Sequence, residues 1–440
     1  AYRFVTALEK TAAPLNLTIR VPDPHPGDPS AVPFHLLSRY VTMMLQRGSS
    51  RDEPERRAWE RSRKITLEYC DAMYRRLGVV LTIDDVCGES FYNDRLAGTI
   101  SELQRRLPPL PQGQRPVRMH AELREDQGAL CIFIYEADGQ PRYRTPEGDP
   151  LPMIVRKSDG AYLYATTDLA AIRYRICELG GQRLLYVVGS PQKLHLAMLF
   201  DVARAAGWAG EDVRIEHVTF GQVLGEDRKL LRTRTGGAVR LADLLDEAER
   251  RAAAVLSEKL ADEDEAYRAA ISAAEQRLIA QRVGIAAVKY FDLARERNAD
   301  YVFSYDQMLS LKGNTAPYMM FAYASIRSIF RKAAERFGSP DVYAAGVTLR
   351  LDAPAERALG LRLARFGDVV AAVAEDLLPH VLCTYLYDLA TDFMRFYNEC
   401  PVLQAPDEAT RLSRMRLCDL TARTLKVGLG LLGIEVLERM

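Results

Sequence analysis

No run of this chain approaches the ~18 apolar residues that a membrane-spanning helix needs. Its first ten residues, AYRFVTALEK, lack the long apolar core of a secretory signal. The seven cysteines, at 70, 87, 131, 177, 383, 400 and 418, form no Cys-x-x-Cys pair and are odd in number. A disulfide framework and a cysteine zinc site are thereby disfavoured, and reduced, mostly buried thiols are expected. A cytoplasmic location, no membrane contact and no metal site of its own follow as expectations. Charge of one sign is lacking too, since 59 Lys and Arg balance 59 Asp and Glu. Any polyanion must then be held by a local basic surface. What the chain does have is bulk. At 440 residues and 48% hydrophobic content it can fill two or three cores.

The most informative stretch runs from Lys157 to Gly237, where three short apolar runs each end in a polar turn. Asp159-Gly160 predicts a hairpin tip with Ala161 to Ala165 as its second arm. Thr166 or Thr167 is expected to cap a helix with Asp168 in its first turn, stopped by Gly180-Gly181. Arg183 to Gly189 is expected to be a fully buried strand, followed by a Ser190-Pro191 helix start. Ile215 to Gly221 is a third strand candidate. Alternating strands and helices imply an open parallel sheet, with ligands beyond the carboxyl ends of its strands. Tyr164, Asp168, Gln192, His195, His217 and Gly221 all fall there.

Further along, PDPHPGDPS follows a strand-like run from Asn16 to Val21 and precedes a short helix expected over Val32 to Gln46. His25-Pro-Gly-Asp within it is either a degenerate phosphate-binding element or, as its prolines favour, a surface turn. Arg51 to Leu77 has an amphipathic helical pattern, with Trp59, Ile65, Tyr69, Met73 and Leu77 at helical spacing. Glu89-Ser90 is expected to cap the next helix. The span PPLPQGQRPVRMHAELREDQ is expected to be a surface excursion before a strand, ALCIFIYEADG, that turns at Asp138-Gly139. Nearly continuous helix is expected from Ala242 to about Ala294, then a short irregular join from Asp300 to Gln307. An all-α region follows, with Leu382, Leu386, Leu389, Phe393 and Phe396 as a core stripe.

Taken together, YLYATTDLA, VVGSPQKLH, EHVTFG and KLLRTRTGG resemble the second half of the catalytic domain of class I arginyl-tRNA synthetases. GNTAPYMMFAYASIRSIFRK, PHVLCTYLYDLATDFMRFYNECPVL and LLGIEVLERM resemble that family's helical anticodon-binding domain. The resemblance covers roughly Glu53 to Met440 in order. It implies a Rossmann-like catalytic domain, partial or divergent in its N-terminal half, followed by an all-α helical bundle. The expected divisions are a divergent segment 1–50, a catalytic domain 51–245, a helical linker 246–308 and an anticodon-binding domain 309–440. The family's His-x-Gly-His element does not occur among the 440 residues.

Arginine presents a planar cation with a fork of donors, so its pocket needs a carboxylate placed to accept two of them. Asp168 is the candidate, with Tyr164 to stack and Gln192 to add an amide, and all three match the family's arginine-contacting positions. The plain alternative for Asp168 is a helix-end acid, worth ~0.3–1 kcal/mol. By the same resemblance His195, His217, Phe220 and Gly221 are the ATP-binding candidates, with His217, Phe220 and Gly221 bordering the adenine and ribose; for either histidine the alternative is a satisfied core residue. The loop GEDRKLLRTRTGG stands where the class carries its Lys-Met-Ser-Lys-Ser loop. There Lys229, Arg232 and Arg234 would steady the leaving pyrophosphate, unless the loop is only a solvated connector. Tyr318, Phe321, Tyr397 and Met440 match positions that contact anticodon bases, the last supported by a chain ending at the family's ERM terminus. Arg327, Arg331, Lys332, Arg414, Arg416 and Lys426 are candidate phosphate partners, and core packing is the alternative for the aromatics.

The implied activity is an arginine–tRNA ligase. It would use ATP with magnesium as substrate, no tightly bound cofactor, and tRNA(Arg) as a partner required even for the first step; a monomer is expected. Without His-x-Gly-His, two other readings stand beside it. One is a non-catalytic paralogue that binds tRNA, arginine or a protein. The other is a chain that lacks an N-terminal part, which a start at Ala1 fits.

Overall fold

The computed structural model describes residues 15, 17–20, 31–33, 54–111, 118–231, 239–262, 265, 268, 271–338, 341–344 and 346–440. They divide into two compact units, 1–71 with 81–217, and 72–80 with 218–440.

In the first unit β1 (Thr18–Arg20) and β2 (Ala31–Pro33) pair antiparallel, with Ile19 opposite Val32. The helix expected from Val32 therefore cannot begin there, and 34–46 lie outside the described residues, as does His25-Pro-Gly-Asp. Helix α1 (Pro54–Leu77) is present, its residues to Asp71 counted in this unit and those from Ala72 in the second. Its apolar stripe is only lightly covered: Ile65 and Tyr69 are 58% and 52% exposed. Glu89-Ser90 opens a 3-10 turn, Glu89–Arg95, and α2 (Leu96–Arg106) follows from it.

The expected excursion before ALCIFIYEADG is half wrong. His120–Asp126 is a strand, β3, paired antiparallel with β4 (Ala129–Tyr135) from His120 opposite Tyr135 to Asp126 opposite Ala129. Gln127 and Gly128, both at positive φ (48° and 78°), make the turn. Five of its seven side chains are polar, which hid the signal. The two apolar ones, Ala121 and Leu123, alternate into the core. β5 (Met153–Arg156) adds a third strand, with a register shift at Leu130/Cys131. The inner face of this sheet packs Leu123, Ile132 and Val155 against α2, α3 (Tyr164–Arg173) and α4 (Lys193–Ala205). Between those helices runs β6 (Arg183–Val187), and β7 (Arg214–Val218) pairs with it. β6 was expected to be fully buried, yet Leu185 and Val187 are 42% and 66% exposed. It belongs to a two-stranded sheet, so alternate side chains are left uncovered. The strands expected to form one open parallel sheet are thus shared among small sheets.

On the outer face His120 stacks on Tyr135 (centroids 5.1 Å apart) and the Arg124 guanidinium lies 4.0 Å over Phe133. Burial pushes the His120 imidazole below the ordinary value of 6.5, against the opposing pull of Glu122. Its protonation therefore favours the unfolded chain, and the stability that neutral His120 allows is present above pH 6.5 and lost as pH falls below it. His120→Phe is expected to flatten this part of the stability profile between about pH 7 and pH 5 in urea titrations. An unchanged slope would mean that the shift contributes nothing.

The second unit begins its continuous part with β8 (Val223–Leu224). Within the helix expected over Ala242 to Ala294 the described residues show α5 (Leu241–Asp262) and α6 (Ala273–Leu293), with Glu265 and Arg268 helical between them and an interruption at Ile271 and Ser272. Ser272 restarts the chain by accepting the Glu275 amide (3.2 Å), a cap legible in the Ser-x-x-Glu spacing. The pair packs closely. A Cβ added at Gly284 would lie 2.8 Å from the Glu249 Cα, so only glycine fits. β9 (Tyr301–Val302) pairs parallel with β8, and α7 (Tyr305–Met308) follows. Five helices complete the unit: α8 (Ala316–Phe337), α9 (Pro354–Ala364), α10 (Phe366–Asp376), α11 (Pro379–Glu399) and α12 (Glu408–Leu431). Leu382, Leu386, Leu389, Phe393 and Phe396 are each at most 2% exposed, as their spacing requires.

Candidate functional site

The Asp159-Gly160 turn forms, with Lys157 N–H donating to the Ala161 carbonyl (2.9 Å). Its second arm is shorter than expected, because Tyr164 already begins α3 after Leu163 in extended backbone. Neither threonine caps that helix. Thr166 is fully buried and its hydroxyl donates to the Val155 carbonyl, tying α3 to β5. Asp168 therefore stands in the second turn, past the reach of the helix-end effect that was its plain alternative. Tyr164 and Asp168, four residues apart, share one face. His195 comes to that face from the first turn of α4. Its Nε2 lies 2.7 Å from Asp168 Oδ2 and its ring 4.8 Å from the Tyr164 ring. Tyr164 is 64% exposed, while the His195 side chain is mostly covered. Gln192, exposed, is the last residue before α4, and its N–H donates to Gly189 (3.2 Å). A carboxylate flanked by an open aromatic ring suits a planar organic cation.

Beneath this face the chain leaves α3 through a π-turn, Tyr174–Glu178. It carries Arg175 to 5.2 Å over the Tyr186 ring. Burial pushes the Tyr186 phenol up, and Arg175 opposes that. Glu102 of α2 accepts from Trp208 (2.9 Å) and Arg173 (2.6 Å). Burial raises its pKa, but those hydrogen bonds outweigh it and the net shift is downward. His217 Nε2 donates to the Val188 carbonyl (2.8 Å), which fixes its tautomer at the end of β6.

In the second unit Gly221 N–H donates to the Arg297 carbonyl (2.6 Å). A Cβ there would overlap the Ala299 carbonyl, so packing against 297–300 accounts for the glycine. Phe220 beside it is 48% exposed. The basic loop opens as a small hairpin in which Gly225 N–H donates to the Lys229 carbonyl (2.8 Å) and Arg228 adopts φ 56°. Lys229 is exposed; Arg232 and Arg234 lie outside the described residues.

Among the helices, Phe321 and Met440 line one apolar cavity of about 100 Å³ with Val255, Leu256 and Pro317. Tyr318 lies 5.7 Å from Tyr387, and Tyr397 is 43% exposed, its ring near-parallel to Phe393. Four of the expected phosphate partners are engaged internally. Arg327 bonds the Glu438 carboxylate (2.7 Å) and Arg331 the Glu438 carbonyl (2.9 Å). Arg414 bonds Glu356 (2.7 Å) and Arg416 the Val347 carbonyl (3.0 Å). Lys332 and Lys426 remain exposed. Sequence reading missed the acids Glu356 and Glu438, whose roles are set by partners 58 and 111 residues away along the chain. Among the described residues no group of three or more His, Cys, Asp or Glu could hold a metal ion.

Two families match this arrangement. Residues 37–305 match "tRNA synthetases class I (R), catalytic domain", and 319–440 match "DALR anticodon binding domain". The fold is thus that of a class I tRNA synthetase catalytic domain followed by a helical anticodon-binding domain. The arginine–tRNA ligase of Laribacter hongkongensis is 45% identical over 403 residues, which are 92% of this chain and 64% of that protein. That of Azotobacter vinelandii is 46% identical over 404 residues, 92% and 63% respectively. Arginyl-tRNA synthetase of Plasmodium falciparum superposes with a TM-score of 0.72 at 28% identity, over 92% of this chain and 63% of that one. The Thermus thermophilus enzyme gives 0.67 at 26% identity, over 91% and 66%. The chain belongs to the class I arginyl-tRNA synthetase family. It spans less than two thirds of the length of these curated relatives.

Proposed function

We propose that this chain is the part of an arginine–tRNA ligase that holds arginine and reads the anticodon end of tRNA(Arg). The observation that carries the reading is the convergence of Tyr164, Asp168 and His195 on one exposed face of α3 and α4. Asp168 accepts two guanidinium donors of arginine, Tyr164 stacks on its plane, and Gln192 adds an amide. His195 holds the Asp168 carboxylate in place from behind. The arginine carboxylate attacks the α-phosphorus of ATP, giving arginyl-adenylate and releasing pyrophosphate with magnesium. Lys229, with Arg232 and Arg234, balances the charge on the leaving group. His217, Phe220 and Gly221 border the adenosine. A hydroxyl of the terminal ribose of tRNA then attacks the arginyl carbonyl and AMP leaves. Phe321 and Met440 offer an apolar seat for an unpaired anticodon base, Tyr318 and Tyr397 are further rings on which bases could stack, and Lys332 and Lys426 remain for phosphates.

The 440 residues contain no His-x-Gly-His, so a non-catalytic paralogue that binds arginine and tRNA is the second reading. Charging of tRNA(Arg) with labelled arginine separates the two. ATP-dependent label at the 3′ end is expected for the ligase, and bound but uncharged tRNA for the paralogue.

A further inference from the structure

We infer that Arg297 is a positioning residue that ties the helical domain to the segment from which the basic loop springs. Every atom involved lies within the second unit. The guanidinium spans two backbone carbonyls. Nη1 donates to Thr219 (2.8 Å) and Nε to Leu377 (3.0 Å). The Arg297 carbonyl in turn accepts the Gly221 N–H (2.6 Å). Around this clasp the two segments are stitched together. Gln222 N–H donates to Asp300 Oδ1 (2.6 Å), Tyr301 N–H to the Gln222 carbonyl (3.1 Å) and Phe303 N–H to the Leu224 carbonyl (2.9 Å). Residues 219–224 are therefore held as one piece with 297–303, directly before the hairpin that presents Lys229.

The far end of the clasp is a strained residue. Leu377 ends α10 in the left-handed region (φ 57°, ψ 40°), a conformation that non-glycine residues rarely adopt. Its N–H still satisfies the Val373 carbonyl (2.9 Å), and its own carbonyl accepts Arg297. Leu378 and Pro379 then lead straight into α11, which carries Tyr387 and Tyr397. A displacement of the start of α11 is thus transmitted through one side chain to Thr219 and Gly221. Arginine suits this task because its fork reaches both carbonyls at fixed spacing, and the single ammonium of lysine does not.

The inference rests on the ligase reading, and its test has one arm that does not. Arg297→Ala and Arg297→Lys are compared with the parent chain in two measurements. In amide hydrogen exchange, both variants are expected to lose protection at Gly221, Gln222 and Leu231 while α11 and α12 stay protected. In tRNA-dependent ATP–pyrophosphate exchange, kcat is expected to fall about tenfold or more at unchanged KM for arginine. Lysine should not rescue it, and added ethylguanidinium should partly restore the alanine variant. Unchanged amide protection in 219–231 overturns the inference whether or not the chain is active. Restoration by lysine overturns it as well, since charge alone would then suffice. Absence of pyrophosphate exchange in the parent chain counts against the ligase reading only, and the amide arm still decides.

Discussion

Asp168→Asn is expected to cost about 3 kcal/mol of arginine affinity, roughly two orders of magnitude, read by calorimetry or as KM for arginine. The substitution keeps the shape of the side chain and a hydrogen-bonding partner for His195 Nε2, 2.7 Å away. It removes only the charge that a guanidinium requires. A purely structural Asp168 would behave otherwise: the folded chain would weaken and arginine affinity would hold. Lysine binding discriminates further. A carboxylate that reads a planar fork should prefer arginine strongly, whereas one that merely attracts a cation should accept both.

The second large effect falls on stability. Glu356 is 2% exposed, accepts from Arg414 (2.7 Å) and receives the Ala353 N–H (2.9 Å) at the start of α9. Glu356→Ala leaves Arg414 half-paired in a covered site and removes a helix cap, an expected loss of about 3–5 kcal/mol. Arg414→Ala should destabilise in the same direction. The denaturation midpoint measures both. Because Arg414 is committed to Glu356 and the Pro401 carbonyl, its loss should act on folding, while Lys332→Ala and Lys426→Ala should act on tRNA affinity. A drop in tRNA affinity for Arg414→Ala at unchanged stability would reverse that assignment.

Much of the fold was legible where one period dominates. The Leu382 to Phe396 stripe is buried as spaced, and ALCIFIYEADG is a strand with its turn at Gly139. Legibility failed where side-chain chemistry masked the period. β3 hides its alternation under His120, Glu122 and Arg124, and the fresh start of helix at α6 is marked only by Ser272 and Glu275. The cap expected at Thr166 or Thr167 failed because the helix already begins at Tyr164, which puts both inside it, where a buried carbonyl of β5 takes the Thr166 hydroxyl. At the candidate site, Tyr164 and Asp168 were recoverable because four residues of helix place them together. The pairing of His195 with Asp168 was not, since it depends on how α4 meets α3. Likewise the six candidate phosphate cations looked equivalent in sequence. Only partners distant along the chain separate Arg327, Arg331, Arg414 and Arg416 from Lys332 and Lys426.

The proposed function places arginine activation at the face made by Tyr164, Asp168 and His195. The most direct measurement is arginine-dependent ATP–pyrophosphate exchange on the 440-residue chain, with and without tRNA(Arg), beside Asp168→Asn. Exchange that needs both arginine and tRNA and collapses in the variant is the expected result. Exchange that survives Asp168→Asn, or that proceeds equally well with lysine, would contradict it.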